Sequence, residues 1–142
     1  MTGLVSRLVA VAVVCAVGGY GSAVDPTISW QNDYSAAMKE AEKKKLPILV
    51  VIGTDACYHC RRLEAETLQD EKVKAALIGR FVTLKIDGNR EVALVQALRV
   101  QVYPTCVLAG PDGKIHGYLQ GYQDADEFRT ALAKAAADAA KK

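Results

Sequence analysis

The sequence is short of several things, and each shortage narrows the reading. It has only four cysteines, and Cys15 sits inside an N-terminal apolar run, so the body of the chain holds Cys57, Cys60 and Cys106. One close pair and one single are too few for the disulfide framework of a small secreted scaffold. No second spaced pair of ligands complements Cys57 and Cys60, since the remaining candidates are the isolated Cys106 and His116. Structural zinc wants four ligands, usually two pairs, so the expectation is no metal site of that kind. Neither sign of charge dominates, with 18 basic and 16 acidic residues, and nothing resembles a nucleic-acid footprint. The lysine run Lys43-Lys44-Lys45 suits the negative end of a helix and reads as a solvated face. There is no internal repeat, no linker and no low-complexity stretch beyond an Ala-rich C-terminal segment.

No apolar run reaches the roughly 20 residues that a membrane-spanning helix requires. The N-terminal run 8–17 follows Arg7 and leads to Gly21-Ser22-Ala23, a small-residue cleavage pattern. Residues 1–23 are therefore predicted to be a signal peptide and residues 24–142 the single mature domain. The competing reading is an uncleaved anchor, which the shortness of the run disfavours. The residues before Cys15, Ala12-Val13-Val14, lack a lipoprotein pattern, so Cys15 is expected to leave with the signal. Export to a periplasm or the extracellular space follows, with no stable membrane association after cleavage. A domain of this size buries roughly two-thirds of its unfolded surface and folds without staples.

Along the mature chain, 24–32 reads as a polar leading segment carrying Trp30. Tyr34, Ala37, Met38 and Ala41 recur at helical spacing, so a helix is predicted over 33–45 with Asp33 as its cap. Strands are expected at 48–52, 81–86, 102–108 (interrupted by Pro104) and 115–119. Helices are expected at 58–78, ending at Gly79, at 91–98, and at 124–140 with Asp124 as cap. Asp87-Gly88-Asn89 and Gly110-Pro111-Asp112-Gly113 are turns, the second closing a hairpin. Strands alternating with helices imply parallel pairing through crossovers, and the closing hairpin adds an antiparallel edge. The expected fold is α/β: a mixed central sheet of about four strands flanked by helices.

The most informative feature is Cys57-Tyr58-His59-Cys60, placed between the apolar β-branched run 48–52 and a helical stretch that opens Arg61-Arg62-Leu63-Glu64. Cysteines three apart in a first helical turn share a face, with Cα atoms roughly 5–6 Å apart, inside the range a disulfide tolerates. The first lies at the positive end of the helix dipole, which favours its thiolate. A charged His59 beside the pair would favour it further and make the disulfide the stronger oxidant. The bland alternative is a surface histidine without redox effect. Cys106, between Thr105 and Val107, reads as a buried inert cysteine, with a third redox thiol as the sharper alternative.

Taken together, residues 48–53, Cys57 and Cys60, Lys85-Ile86-Asp87, Tyr103-Pro104-Thr105, Gly113 and Gly121 resemble the thioredoxin superfamily in order and spacing. The likeness covers about residues 30–137. Tyr34 through Pro47, and Gly53-Thr54-Asp55 before the first cysteine, look most similar to exported thioredoxin-like proteins and to the thioredoxin-like domain of the periplasmic membrane electron transporter. The resemblance implies a thioredoxin fold, with Cys57 as attacking thiolate, Cys60 as resolving thiol and Pro104 in cis facing the pair. It implies that a substrate chain adds along Tyr103, Pro104 and Thr105 by main-chain hydrogen bonds.

Departures are equally specific. Ala56 stands where the family often has Trp, and Tyr58-His59 replaces its common Gly-Pro, so Tyr58 and His59 are the expected redox-tuning residues. The buried Asp and the Lys of cytoplasmic thioredoxins fall on Val51 and Thr83, which removes their aid to the resolving cysteine. The expectation is an exported thiol–disulfide oxidoreductase with no cofactor. It would act on protein disulfides or dithiols and exchange electrons with a redox partner protein. The alternatives are a copper(I) metallochaperone using the same thiolates and a non-catalytic thioredoxin-fold binding module.

Overall fold

The structure is a computed structural model that describes residues 27–141. The predicted signal peptide 1–23, with Cys15 and the Gly21-Ser22-Ala23 site, lies outside the described residues, so the leader and the domain boundary at 24 stay expectations. Among the described residues, no helix is long and apolar enough to cross a membrane.

The elements run β1 (Trp30–Gln31), α1 (Tyr34–Lys44), β2 (Ile48–Gly53), α2 (Tyr58–Arg62) continued by a π-helical turn (Leu63–Thr67), α3 (Glu71–Leu77), β3 (Val82–Asp87), α4 (Val92–Ala97), β4 (Thr105–Ala109), β5 (Ile115–Gln120) and α5 (Ala125–Ala140). They build one five-stranded sheet of order β1-β3-β2-β4-β5. β1, β3 and β2 are mutually parallel, whereas β4 and β5 are antiparallel to their neighbours.

The fifth strand is β1, which the sequence pattern hides because two residues cannot display alternation. It is fixed by pairing Trp30 with Thr83 and Gln31 with Leu84, and by the Thr83 hydroxyl, which donates to the Ser29 carbonyl at 2.8 Å.

β2 is apolar throughout because both of its faces are covered. Leu49 and Val51 enter one core with Leu63, Leu77, Phe128 and Leu132, under α3 and α5. Ile48, Val50 and Ile52 enter the other with Ala37, Ala41, Val95 and Leu98, under α1 and α4. Asp33 caps α1, its carboxylate accepting from the Ala36 N–H. Asp124 caps α5 in a reciprocal box with Glu127.

Two expected boundaries move. The helix predicted over 58–78 is not continuous. The Leu68 N–H bonds the Leu63 carbonyl five residues back, and this widened turn sends Leu63, Thr67 and Leu68 all inward at 0, 1 and 2 % exposure. Asp70 then starts α3 afresh, accepting from the N–H groups of Lys72 and Val73. The strand predicted from 102 begins only at Thr105, after the proline that cannot donate to a ladder.

The topology gathers one rim. β2 and β3 run in parallel, so Gly53 and Asp87 end side by side. β4 runs the other way and starts there, with Thr105 between Ile52 and Gln120. The loops 54–57, 88–91, 102–104 and 121–123 therefore converge.

Candidate active site

Cys57 and Cys60 stand on this rim, joined in a disulfide with Cα atoms 5.2 Å apart. Cys57 is the N-cap of α2 in extended conformation, and its sulfur accepts from the Cys60 N–H at 3.1 Å. Its carbonyl accepts from the Arg61 N–H at 3.2 Å, opening the helix. The sulfur thus occupies the place of a capping oxygen, at the end where free N–H groups favour negative charge. Cys57 is half-buried and Cys60 is buried at 7 % exposure. Gly53 lets the pair pack closely onto the strand end, since a Cβ there would lie 3.0 Å from the Cys60 sulfur.

The neighbours fall as follows. The Tyr103–Pro104 peptide is cis, and Pro104 lines a cleft of about 520 Å³ together with Cys60 and Gly53. Tyr58 is 66 % exposed. His59 is exposed, its ring meeting Tyr58 edge-on with centroids 5.4 Å apart; among the described residues no hydrogen bond joins it to either sulfur. The Tyr103 ring lies across Gly88, where a Cβ would come 2.5 Å from the tyrosine oxygen. Thr105 is fully buried and its hydroxyl donates to the Val102 carbonyl at 2.7 Å, so this side chain supports the edge from inside. The Pro104 carbonyl accepts from the Gly121 N–H at 2.8 Å. Among the described residues no hydrogen bond engages the main chain of Tyr103.

Sequence reasoning missed three features of the rim. Val102, 45 % exposed, and Val92, 51 % exposed, are apolar side chains presented beside it. Lys85 is the third. Thr83 spends its hydroxyl on Ser29, but Lys85, two residues along and in register with Val51, points into the same cleft as Cys60 and pairs with Glu64 at 3.4 Å. Its ammonium also sits 4.9 Å from the centre of the Trp30 ring. The period-two rule of a strand could have found it, since Thr83 and Lys85 must share a face. Val92 carried a weaker signal as an apolar residue in the first turn of a short helix.

Cys106 is apart from this group. It lies in β4 opposite Val51, 1 % exposed, and burial pushes its thiol from 9.0 up to about 12. Among the described residues, no group of three or more His, Cys, Asp or Glu side chains is disposed to hold a metal ion.

Comparison with known proteins agrees with this geometry. Residues 34–136 match the family described as thioredoxin-like domain. The fold is similar to a thioredoxin from Thermus thermophilus (TM-score 0.72, 23 % identity, 80 % of this chain and 90 % of that one). It is also similar to a disulphide isomerase from Xylella fastidiosa (TM-score 0.61, 23 % identity, 76 % and 98 %). The C-terminal domain of DsbD from Neisseria meningitidis is comparable (TM-score 0.64, 22 % identity, 75 % and 98 %). Human spermatogenesis-associated protein 20 is 30 % identical over 60 residues, which are 42 % of this chain. The match spans only 8 % of that protein's length. With its mixed five-stranded sheet and its disulfide-capable Cys57–Cys60 pair, the chain belongs to the thioredoxin-like domain family.

Proposed function

We propose that this protein is an exported thiol–disulfide oxidoreductase whose redox centre is Cys57 and Cys60. The observation that carries the reading is a disulfide-capable pair at a helix N-terminus, Cys57 half-buried and Cys60 buried, on the rim that also holds Pro104. In the reducing direction the Cys57 thiolate attacks one sulfur of a client disulfide. The client S–S bond breaks, a client thiolate leaves, and a mixed disulfide forms. The Cys60 thiolate then attacks the Cys57 sulfur, the second client thiolate leaves, and the protein is left oxidised by two electrons. A dithiol partner protein restores it by the same two steps. Run backwards, the sequence installs disulfides in clients. The relatives named for disulfide isomerisation and for thioredoxin support substrates of this class.

Each residue then has a task. Cys57 attacks, aided by the dipole of the helix it caps. Cys60 resolves from below. The Tyr103 main chain pairs with an extended client segment, with Pro104 and Thr105 holding that edge. Tyr58 and His59 set the poise of the pair. Export through residues 1–23 would place this chemistry in a periplasm or outside the cell. The direct test is insulin reduction with a dithiol donor, alongside trapping. Cys60→Ser is expected to accumulate mixed disulfides with clients and Cys57→Ser none. Equal trapping by both variants, or an inactive wild type, rejects the reading.

A further inference from the structure

Three of the four residues between β5 and α5 each engage a different part of the rim. The Gly121 N–H donates to the Pro104 carbonyl at 2.8 Å. The Tyr122 hydroxyl donates to Glu66 Oε2 at 2.7 Å. The Gln123 carbonyl accepts from the buried Thr67 hydroxyl at 2.6 Å. Arg62 completes the cluster: its Nε lies 3.0 Å from both Glu66 oxygens, and its guanidinium carbon is 4.0 Å from the centre of the Tyr122 ring. Arg62 ends α2, and Glu66 and Thr67 belong to the π-helical turn that follows. One short loop thus grips the proline edge through its first residue and the cysteine helix through its second and third.

We propose that Tyr122 is a positioning residue for exchange with protein clients, and that the 121–123 loop is a strut fixing the separation between the Cys57 sulfur and the Tyr103 edge. The proposal rests on the thiol–disulfide reading above. A polypeptide client is held at two places, through its sulfur at Cys57 and through its main chain at Tyr103. Attack on a disulfide is productive only when both placements are satisfied together, and small misplacements are costly. A small disulfide is held at Cys57 alone and does not sense the separation.

The two arms of the strut differ in kind. The Thr67–Gln123 bond is part-buried, with Thr67 itself 1 % exposed, and holds the loop folded. The Tyr122 arm is solvent-accessible, with the Arg62 and Glu66 side chains 42 % and 51 % exposed. Exposed ion pairs add little to global stability. The charge-assisted bond from Arg62 Nε, shared between both Glu66 oxygens, does fix orientation. The hydroxyl of Tyr122, and then Arg62, hold the Glu66 carboxyl below its ordinary range, and the same bond holds the Tyr122 phenol above its own. The arm therefore stays in its charged, engaged form through neutral pH.

The test uses the full chain and three variants: Tyr122→Phe, which keeps the ring over Arg62 but removes the donor; Glu66→Gln; and Tyr122→Ala. Each is assayed for reduction of insulin and of the small aromatic disulfide dithiobis(nitrobenzoate), with the Cys57/Cys60 potential measured against glutathione. Tyr122→Ala is expected to lower kcat/KM for insulin roughly tenfold, mainly through KM, as loss of one positioning contact does. Tyr122→Phe and Glu66→Gln should fall in between. The small-disulfide rate and the redox equilibrium constant of the Cys57/Cys60 pair should each stay within about twofold of wild type, since the cysteine environment is untouched. Equal losses on both substrates, or an unchanged insulin rate in Tyr122→Ala, overturn the strut. A wild type inactive on both substrates instead overturns the thiol–disulfide reading itself.

Discussion

Cys106 and the Cys57–Cys60 pair are separated by a single strand, yet the fold treats them as different chemical groups. Cys106 is in β4, its partner in the ladder is Val51, and its neighbours are the apolar side chains of the core beneath α3 and α5. Cys57 comes after the same β2 has ended, where the chain turns into a helix and a sulfur can accept an N–H. Burial without a donor makes a thiol hard to ionise; a helix start does the opposite. Reactivity here is a property of where the sheet ends, and the residue type alone does not confer it.

The largest expected contrast is in alkylation. With its thiol pushed up to about 12, Cys106 holds a thiolate fraction on the order of one in ten thousand at pH 8, and its burial blocks access besides. Iodoacetamide added to the reduced, folded protein should label Cys57 rapidly and leave Cys106 untouched until denaturant is added. Mass spectrometry of the labelled peptides reads this directly. Labelling of Cys106 in the folded protein at a rate near that of Cys57 would erase the distinction.

Next in size is the division of labour within the pair. Cys57→Ser should remove insulin reduction altogether, a loss of at least about a hundredfold, because it deletes the proposed nucleophile. Cys106→Ala should leave the rate unchanged. Comparable losses from the two substitutions would mean that the third thiol takes part.

These contrasts were partly legible in the sequence, and the reason is physical. The six-residue apolar run of β2, the spacing of Cys57 and Cys60 and the caps at Asp33 and Asp124 are local signals: each is set by neighbours in the chain. The fold class followed from them, whereas the cis peptide before Pro104 followed only from the resemblance to the thioredoxin superfamily. β1 was missed because its strand character comes only from Thr83 and Leu84, more than fifty residues away. The π-helical turn Leu63–Thr67 and the break that follows it before Asp70 were missed because a π turn needs no special residue; it is set by the need to bury Leu63, Thr67 and Leu68 together. The side-chain roles of Tyr103 and Thr105 were also beyond the sequence. Which way a ring lies depends on the backbone of Gly88 across the rim. Tyr122 carried no local signal at all, because its partners are Glu66 and Arg62 on another element.

A smaller effect sharpens the comparison from the side of stability. Above pH 9.0 the unfolded thiol at position 106 ionises, while the buried one keeps its proton to about 12. The unfolded state therefore binds fewer protons across that window, and stability falls as pH rises through it. Below pH 9 this contribution is fully present. Cys106→Ala should cost about 1 kcal/mol at neutral pH for the small void it leaves. It should also flatten the alkaline decline relative to wild type. Urea midpoints at pH 7, 9 and 10.5 would show it, and parallel declines in the two proteins would mean that Cys106 is not the titrating group.

The smallest expected effect concerns His59, which tests how far the reactive region owes its character to side chains and how far to the helix. An imidazolium near the Cys57 thiolate stabilises the reduced form and raises the potential. The exposed position of His59, with its ring against Tyr58, limits the gain through screening by solvent and salt. His59→Pro is structurally permissible, because position 59 lies in the first turn of α2, where the helix does not use the N–H. We expect the substitution to move the potential about 20 mV more negative, equivalent to roughly 1 kcal/mol. His59→Gln, which keeps the backbone donor, should move it by most of that amount. The difference from wild type should shrink in high salt. Redox titration against glutathione at two ionic strengths resolves this dependence. A shift in His59→Pro that is absent from His59→Gln would assign the poise to loop geometry. No shift in either would leave the helix N-terminus as the source of the contrast with Cys106.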